Sequence, residues 1–169
     1  DVGMVGAKLY YPDDTIQHAG VVFGLGGVAA HVLCKLPRDA EGYMGRLRCV
    51  QEISAVTAAC MMVKTSVFKA VGGFDEELKV AFNDIDLCMK VRKYGVKIVF
   101  TPYAELYHYE SKSRGMEDTP EKQLRFSREV NCFRRKWERE LLKGDPYYNP
   151  NLTLNNTDCS LRKQEKNGD

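Results

Sequence analysis

The chain has 169 residues, of which 44% are hydrophobic, 28% charged and 10% aromatic. This is the usage of one ordinary globular domain, and it excludes disordered, collagen-like and fibrous chains. Lysine and arginine number 25 against 23 acids, a formal net charge of +2, which is too small an excess for a dedicated nucleic-acid binder.

Val2 to Tyr10 is apolar and β-prone from the second residue and reads as a buried strand with no lead-in. Such an opening predicts that Asp1 is a cut inside a larger fold. It shows neither the basic start nor the apolar core of a signal peptide. Pro12-Asp13-Asp14 supplies turn chemistry. Thr15 to Phe23 then reads as a second strand, making a hairpin over 5–23 that Gly24, Gly26 and Gly27 end. Those glycines match no phosphate loop, since no Gly-Lys-Ser/Thr follows. Residues 28–50 have weak periodicity and predict a long irregular excursion with a short helix. Ile53 to Val63 fits a strand or a helix by pattern alone. A short helix capped near Thr65 and stopped by Gly72-Gly73 favours the strand.

A helix is predicted from about Asp84 to Gly95, its apolar band spread over Ile85, Leu87, Cys88, Met89, Val91 and Tyr94. Val96 to Thr101 is a β-branched strand closed by Pro102, and Ala104 to Tyr109 a further short one. The clearest helix has Thr119 as N-cap and Pro120 at its first position. Its apolar stripe is Phe126, Val130, Phe133, Trp137 and Leu141, and Gly144 stops it. Its polar face carries Arg125, Arg128, Arg134, Arg135, Lys136 and Arg139, a solvated face or one able to meet an anionic substrate or membrane surface. No apolar run approaches the roughly 18 residues of a membrane span.

Strands alternating with helices predict an α/β fold, a mixed sheet with flanking helices. The expected organisation is one unit over residues 1–160 and a charged tail over 161–169. The six cysteines, Cys34, Cys49, Cys60, Cys88, Cys132 and Cys159, are widely spaced without a CxxC pair. They predict no zinc site, inert packing and a reducing, cytosolic setting.

Two loops have chemistry to offer. Asp84 follows a loop and opens a helix, where it either caps the helix or faces a pocket as a general base. Asp86, two residues on, diverges from it and cannot form a paired acid and base with it. His108 ends a strand and is either a hydrogen-bonding residue or a metal ligand. His18 and His31 read as structural. Ser111, Lys112, Ser113 and Arg114 form a polar, basic loop that is either plain surface or a flap whose cations meet a pyrophosphate.

An ordered series of segments resembles the C-terminal, acceptor-side half of a family 2 glycosyltransferase with the GT-A fold. The segments are Ala58-Ala59-Cys60-Met61-Met62-Val63, Val67-Phe68-Lys69-Ala70-Val71-Gly72-Gly73-Phe74-Asp75-Glu76, Asn83-Asp84-Ile85-Asp86-Leu87-Cys88, Tyr94-Gly95 and Pro102-Tyr103-Ala104-Glu105-Leu106-Tyr107-His108. Val5 to Asp13, Thr15 to Gly20 and Asp145 to Leu152 resemble its bacterial rhamnosyltransferase-like branch.

The resemblance implies inverting transfer of a sugar from a nucleotide-sugar donor to a glycan or lipid-linked acceptor hydroxyl, in the cytoplasm or at the inner face of the membrane. It implies Asp84 as catalytic base, Asn83, Phe82, Asp75 and Asp86 toward the acceptor, and Ser111, Lys112 and Arg114 over the donor pyrophosphate. Asn83 stands where the family commonly has glutamate. His108 matches a histidine that ligates the metal in some relatives, and Mg²⁺ or Mn²⁺ is the implied cofactor, held through the Asp-x-Asp motif of the missing donor half. Without the donor half, the 169-residue chain is expected to be inactive and to self-associate through an exposed sheet edge. The other readings are a metal-dependent phosphoester hydrolase using Asp84, Asp86 and His108, and a non-catalytic carbohydrate-binding or assembly module.

Overall fold

The computed structural model describes residues 1–109 and 119–163. The fold is mixed α/β, as expected. Strand β1 (Val2–Tyr10) is the spine of a mixed sheet. On one side it runs parallel to a long strand, Lys97–Tyr107. Its other edge is shared between two short antiparallel partners. Met61–Val63 pairs with Met4 to Gly6, and Ile16–His18 pairs with Leu9 and Tyr10. Both faces of β1 are covered, so nearly all of its side chains are buried, which is why its sequence is apolar but for Lys8. Gly6 allows the close approach of the 53–60 segment, because a Cβ there would lie 2.3 Å from Val56 Cγ1.

In chain order the strands are β1, β2 (Ile16–His18), β3 (Val21–Phe23), β4 (Ala29–His31), β5 (Gln51–Glu52), β6 (Met61–Val63) and β7 (Lys97–Tyr107). The expected hairpin is divided. Gly20, at φ 111°, turns the chain off the sheet, so that β3 pairs with β4 instead. Residues 53–60 contain no strand, and regular pairing begins only at Met61.

Pro102 does not close a strand. Strand β7 runs straight through it, because the register against β1 jumps there. Ala7 faces Thr101, while Lys8 faces Glu105. A bulge leaves the proline no ladder bond to donate, which is the place a strand tolerates it.

Among the described residues the α-helices are α1 (Thr65–Ala70), α2 (Asn83–Lys93) and α3 (Pro120–Lys143). Helix α2 carries Asp84 and Asp86 in its first turn and Lys90, Arg92 and Lys93 at its negative end. Leu87, Cys88 and Val91 are fully buried, and α2 packs on β7. The Cys88 thiol lies among Met4 and Val56, and burial pushes it up to about 12, so it is a packing group and not a nucleophile.

Helix α3 begins as expected. The Thr119 hydroxyl accepts the Lys122 N–H at 3.3 Å, and Pro120 occupies the first turn. Phe133 and Trp137 of its stripe are buried, whereas Phe126 stays 43% exposed. Burying a side chain such as Phe133 is worth roughly 1.5–3 kcal/mol, which fixes α3 to the N-terminal half of α2. Among the described residues no helix is long and apolar enough to cross a membrane.

Candidate active site

Asp84 occupies the first turn of α2 and is half-buried. It is not the N-cap. That position belongs to Phe82, at φ 61° and without a side-chain cap bond. Capping is done from within the turn: Asn83 Oδ1 accepts the Asp84 N–H at 2.7 Å, and Asp84 Oδ1 accepts the Ile85 N–H at 2.9 Å. The second carboxylate oxygen reaches across the fold. Asp84 Oδ2 accepts the Ala58 N–H at 3.1 Å. The Asp84 carboxylate is therefore held at the positive end of a helix by two backbone N–H groups, those of Ile85 and Ala58, and it keeps an exposed side.

The preceding amide looks the other way. Thr57 N–H donates to His18 Nε2 at 3.4 Å. Two consecutive peptide groups thus join the Asp84 carboxylate to a fully buried histidine. His18 Nδ1 lies 3.1 Å from His31 Nδ1, with the two rings edge to face at 4.8 Å. His108 is brought to the same place by its N–H bond to the Tyr10 carbonyl, 2.9 Å, close enough for its charge to act on His18. All three histidines of the sequence therefore gather around His18, which alone of them bonds the 57–58 segment. Sequence reasoning kept only His108 for chemistry. His18 and His31 lie 13 residues apart on strands of two different sheets, so spacing gave no sign of their contact.

Burial, reinforced by His31 and His108, holds His18 well below the ordinary histidine range. It is neutral when folded and takes a proton on unfolding below about pH 6.5. Its contribution to stability is complete above that pH and is lost as pH falls toward the folded value. Unfolding midpoints in urea should therefore fall between pH 6.5 and 5, before the carboxylates titrate. His18→Gln should flatten that slope, and a flat wild-type profile would contradict the assignment.

Asp86 departs from its expected role. It is fully buried. Its Oδ1 accepts the Trp137 indole N–H at 2.7 Å and lies 2.8 Å from Lys136 Nζ, while Lys90 Nζ stands 3.4 Å from Oδ2. Lys136, read from sequence as part of the solvated face, also bonds Asp75. That bond, with the Glu77 N–H, holds the Asp75 carboxyl below the usual range. Asp75 and Asp86 are thus tied into one ionic cluster between α2, α3 and the 73–77 loop, with Asp86 fully buried and Asp75 partly exposed. Phe82 is half-buried, its ring stacked on Phe133 at 5.2 Å and near Phe126 at 6.0 Å. Ser111, Lys112 and Arg114 lie outside the described residues.

Glu129 was missed by sequence reasoning. It flanks the apolar stripe of α3 and is only 4% exposed. Its carboxylate accepts three consecutive backbone N–H groups, from Lys79 at 3.2 Å, Val80 at 3.3 Å and Ala81 at 2.7 Å. These residues lead into Phe82 and Asp84.

His108 Nδ1 is buried and has no hydrogen-bond partner among the described residues. An orphaned imidazole nitrogen fits one metal ligand. Among the described residues no three His, Cys, Asp or Glu side chains are grouped to hold an ion. A recess of about 580 Å³ lies at the other end of α2, lined by Met89, Arg92, Trp137 and Tyr147, and Asp84 is not part of it.

Comparison with known proteins gives partial matches. The chain is 60% identical over 161 residues to the uncharacterized protein y4gI of Sinorhizobium fredii, a match covering 95% of this chain and 18% of that protein. It is 39% identical over 170 aligned positions to the O-antigen biosynthesis protein RfbC of Myxococcus xanthus, covering 100% of this chain and 13% of that one. A stretch of 62 residues, 37% of the chain, is 36% identical to the N-acetylglucosaminyl-diphospho-decaprenol L-rhamnosyltransferase of Mycobacterium tuberculosis and covers 20% of it. The chain thus spans less than a fifth of the length of the first two relatives. No protein-family model and no solved structure matches it.

Proposed function

We propose that this chain forms the acceptor side of a glycosyltransferase that moves a sugar, with inversion, from a nucleotide-sugar to an acceptor hydroxyl, with Asp84 as general base. The observation that carries the reading is the Asp84 carboxylate itself, half-exposed at the start of α2 and fixed by the Ala58 N–H beside the histidine cluster. Relatives named for O-antigen biosynthesis and for rhamnosyl transfer support a role in sugar transfer. The GT-A architecture, with the chain as its C-terminal half, and the cytoplasmic setting belong to the same proposal.

In the proposed step the acceptor oxygen attacks the anomeric carbon as its bond to the diphosphate oxygen breaks. The leaving group departs with the bonding electron pair, and the acceptor proton passes to Asp84. The carboxylate is aimed by its bonds to Ala58 and Ile85, so little reorientation is needed at the moment of transfer. A Mg²⁺ or Mn²⁺ ion, when bound, supplies charge to the diphosphate, and His108 offers it one nitrogen. The hydrolase reading is weaker, because Asp86 is buried and occupied by Trp137 and Lys136.

The test is transfer of labelled sugar by the longer protein that carries this chain, with Mn²⁺ and a lipid-linked or glycan acceptor. Inversion at the anomeric carbon is the expected result. Retention, or binding of acceptor without transfer from any nucleotide-sugar, would overturn the reading.

A further inference from the structure

Helix α3 presents one face that the fold does not use. Leu124, Arg128, Asn131, Arg135, Glu138 and Leu142 follow one another at alternating steps of four and three residues, with Arg139 alongside, and every one of them is exposed. At 1.5 Å per residue, such a spacing draws a single line along the helix.

The charges on this line are unusual. Arg128, Arg135 and Arg139 have no carboxylate within ion-pair distance among the described residues, in contrast to Arg38, Arg48 and Lys136 elsewhere. Arg128, Arg134 and Arg135, with Asn131, surround an open recess of about 530 Å³ that no acid lines. Arg134 is anchored there by the Gly27 carbonyl at 3.1 Å. Like charges repel, so a group of guanidiniums held around one recess favours an anionic occupant.

The apolar ends decide which occupant. Leu124 is 53% and Leu142 82% exposed, one at each end of the arginine line. A soluble phosphate would leave both in water. A surface that is anionic at its headgroups and apolar beneath them satisfies the arginines and the leucines together.

We propose that this face of α3 lies on anionic lipid headgroups, Arg128, Arg135 and Arg139 meeting phosphates and Leu124 and Leu142 entering the interface. The inference deepens the setting proposed above but stands on α3 alone. Vesicle binding can fail while sugar transfer succeeds, and the reverse.

The test is co-sedimentation of the chain with phosphatidylcholine vesicles, with and without about a third of phosphatidylglycerol, at about 0.1 M salt and at high salt. Binding should require the anionic lipid and weaken with salt. The triple variant Arg128→Gln, Arg135→Gln, Arg139→Gln should lose roughly a hundredfold in partitioning, since each basic residue near such a surface contributes about fivefold. The variant Leu124→Ser, Leu142→Ser should lose several-fold while keeping the salt dependence. Circular dichroism melting of both variants separates lost binding from lost fold. Equal binding to neutral vesicles, wild-type binding by a folded triple variant, or displacement from vesicles by inorganic phosphate or a short RNA at constant ionic strength would each overturn the proposal. So would absence of binding.

Discussion

Replacing Asp84 by asparagine should reduce sugar transfer by about 10²–10⁴-fold while leaving the fold intact. The amide is nearly isosteric with the carboxylate, and its oxygen can still accept the Ala58 or Ile85 N–H. What it cannot do is take a proton from an acceptor hydroxyl. The loss should fall on the turnover number, with donor and acceptor binding little changed. Asp86→Asn provides the contrast. Its carboxylate is buried between Lys136, Lys90 and the Trp137 indole, so that change removes a buried charge from a cationic cluster. Its main effect should be on the denaturation midpoint. Transfer rates measured on the longer protein, beside urea unfolding of each variant, separate the two. Full activity in a folded Asp84→Asn protein would end the proposal that this residue is the base.

Much of the fold was legible because local signals and tertiary packing agree. The central strand is apolar but for Lys8 because both of its faces are covered, and α3 carries its cap, its first-turn proline and its terminal glycine where the structure has them. Legibility failed where non-local contacts decide. Nothing near Pro102 announces that the strand survives it, since the bulge is set by the register against residues 7 and 8. At the site, Asp84 was visible through its place after a loop and before a helix. The burial of Asp86 could not be read there, because its neighbours in space, Trp137 and Lys136, lie some fifty residues away. The histidine cluster was missed for the same reason. Single-sequence patterns report which face of an element is buried and say little about which polar groups meet inside.

Glu129 is the sharpest case of that limit, and its removal should have the largest effect on stability. The loop over 79–81 has no ladder of its own. Three successive N–H groups point at one carboxylate, and the next residue, Phe82, holds a positive φ that costs a non-glycine side chain on the order of 1 kcal/mol or more. Stacking on Phe133 and the bond from Asp86 N–H to the Phe82 carbonyl, 2.8 Å, help to hold that conformation. Glu129→Ala would leave the three donors to whatever water can enter, at a cost of about 3 kcal/mol. Glu129→Gln keeps one oxygen acceptor but turns an amide N–H toward the donors, so it should lose roughly half as much. Both changes should lower the urea midpoint with an unchanged slope. In native-state hydrogen exchange the amides of residues 79–81 should lose protection first, with those of β1 affected only through the lower global stability. Wild-type protection at 79–81 in Glu129→Ala would show that the loop holds itself, and that the start of α2 does not depend on α3 for its position.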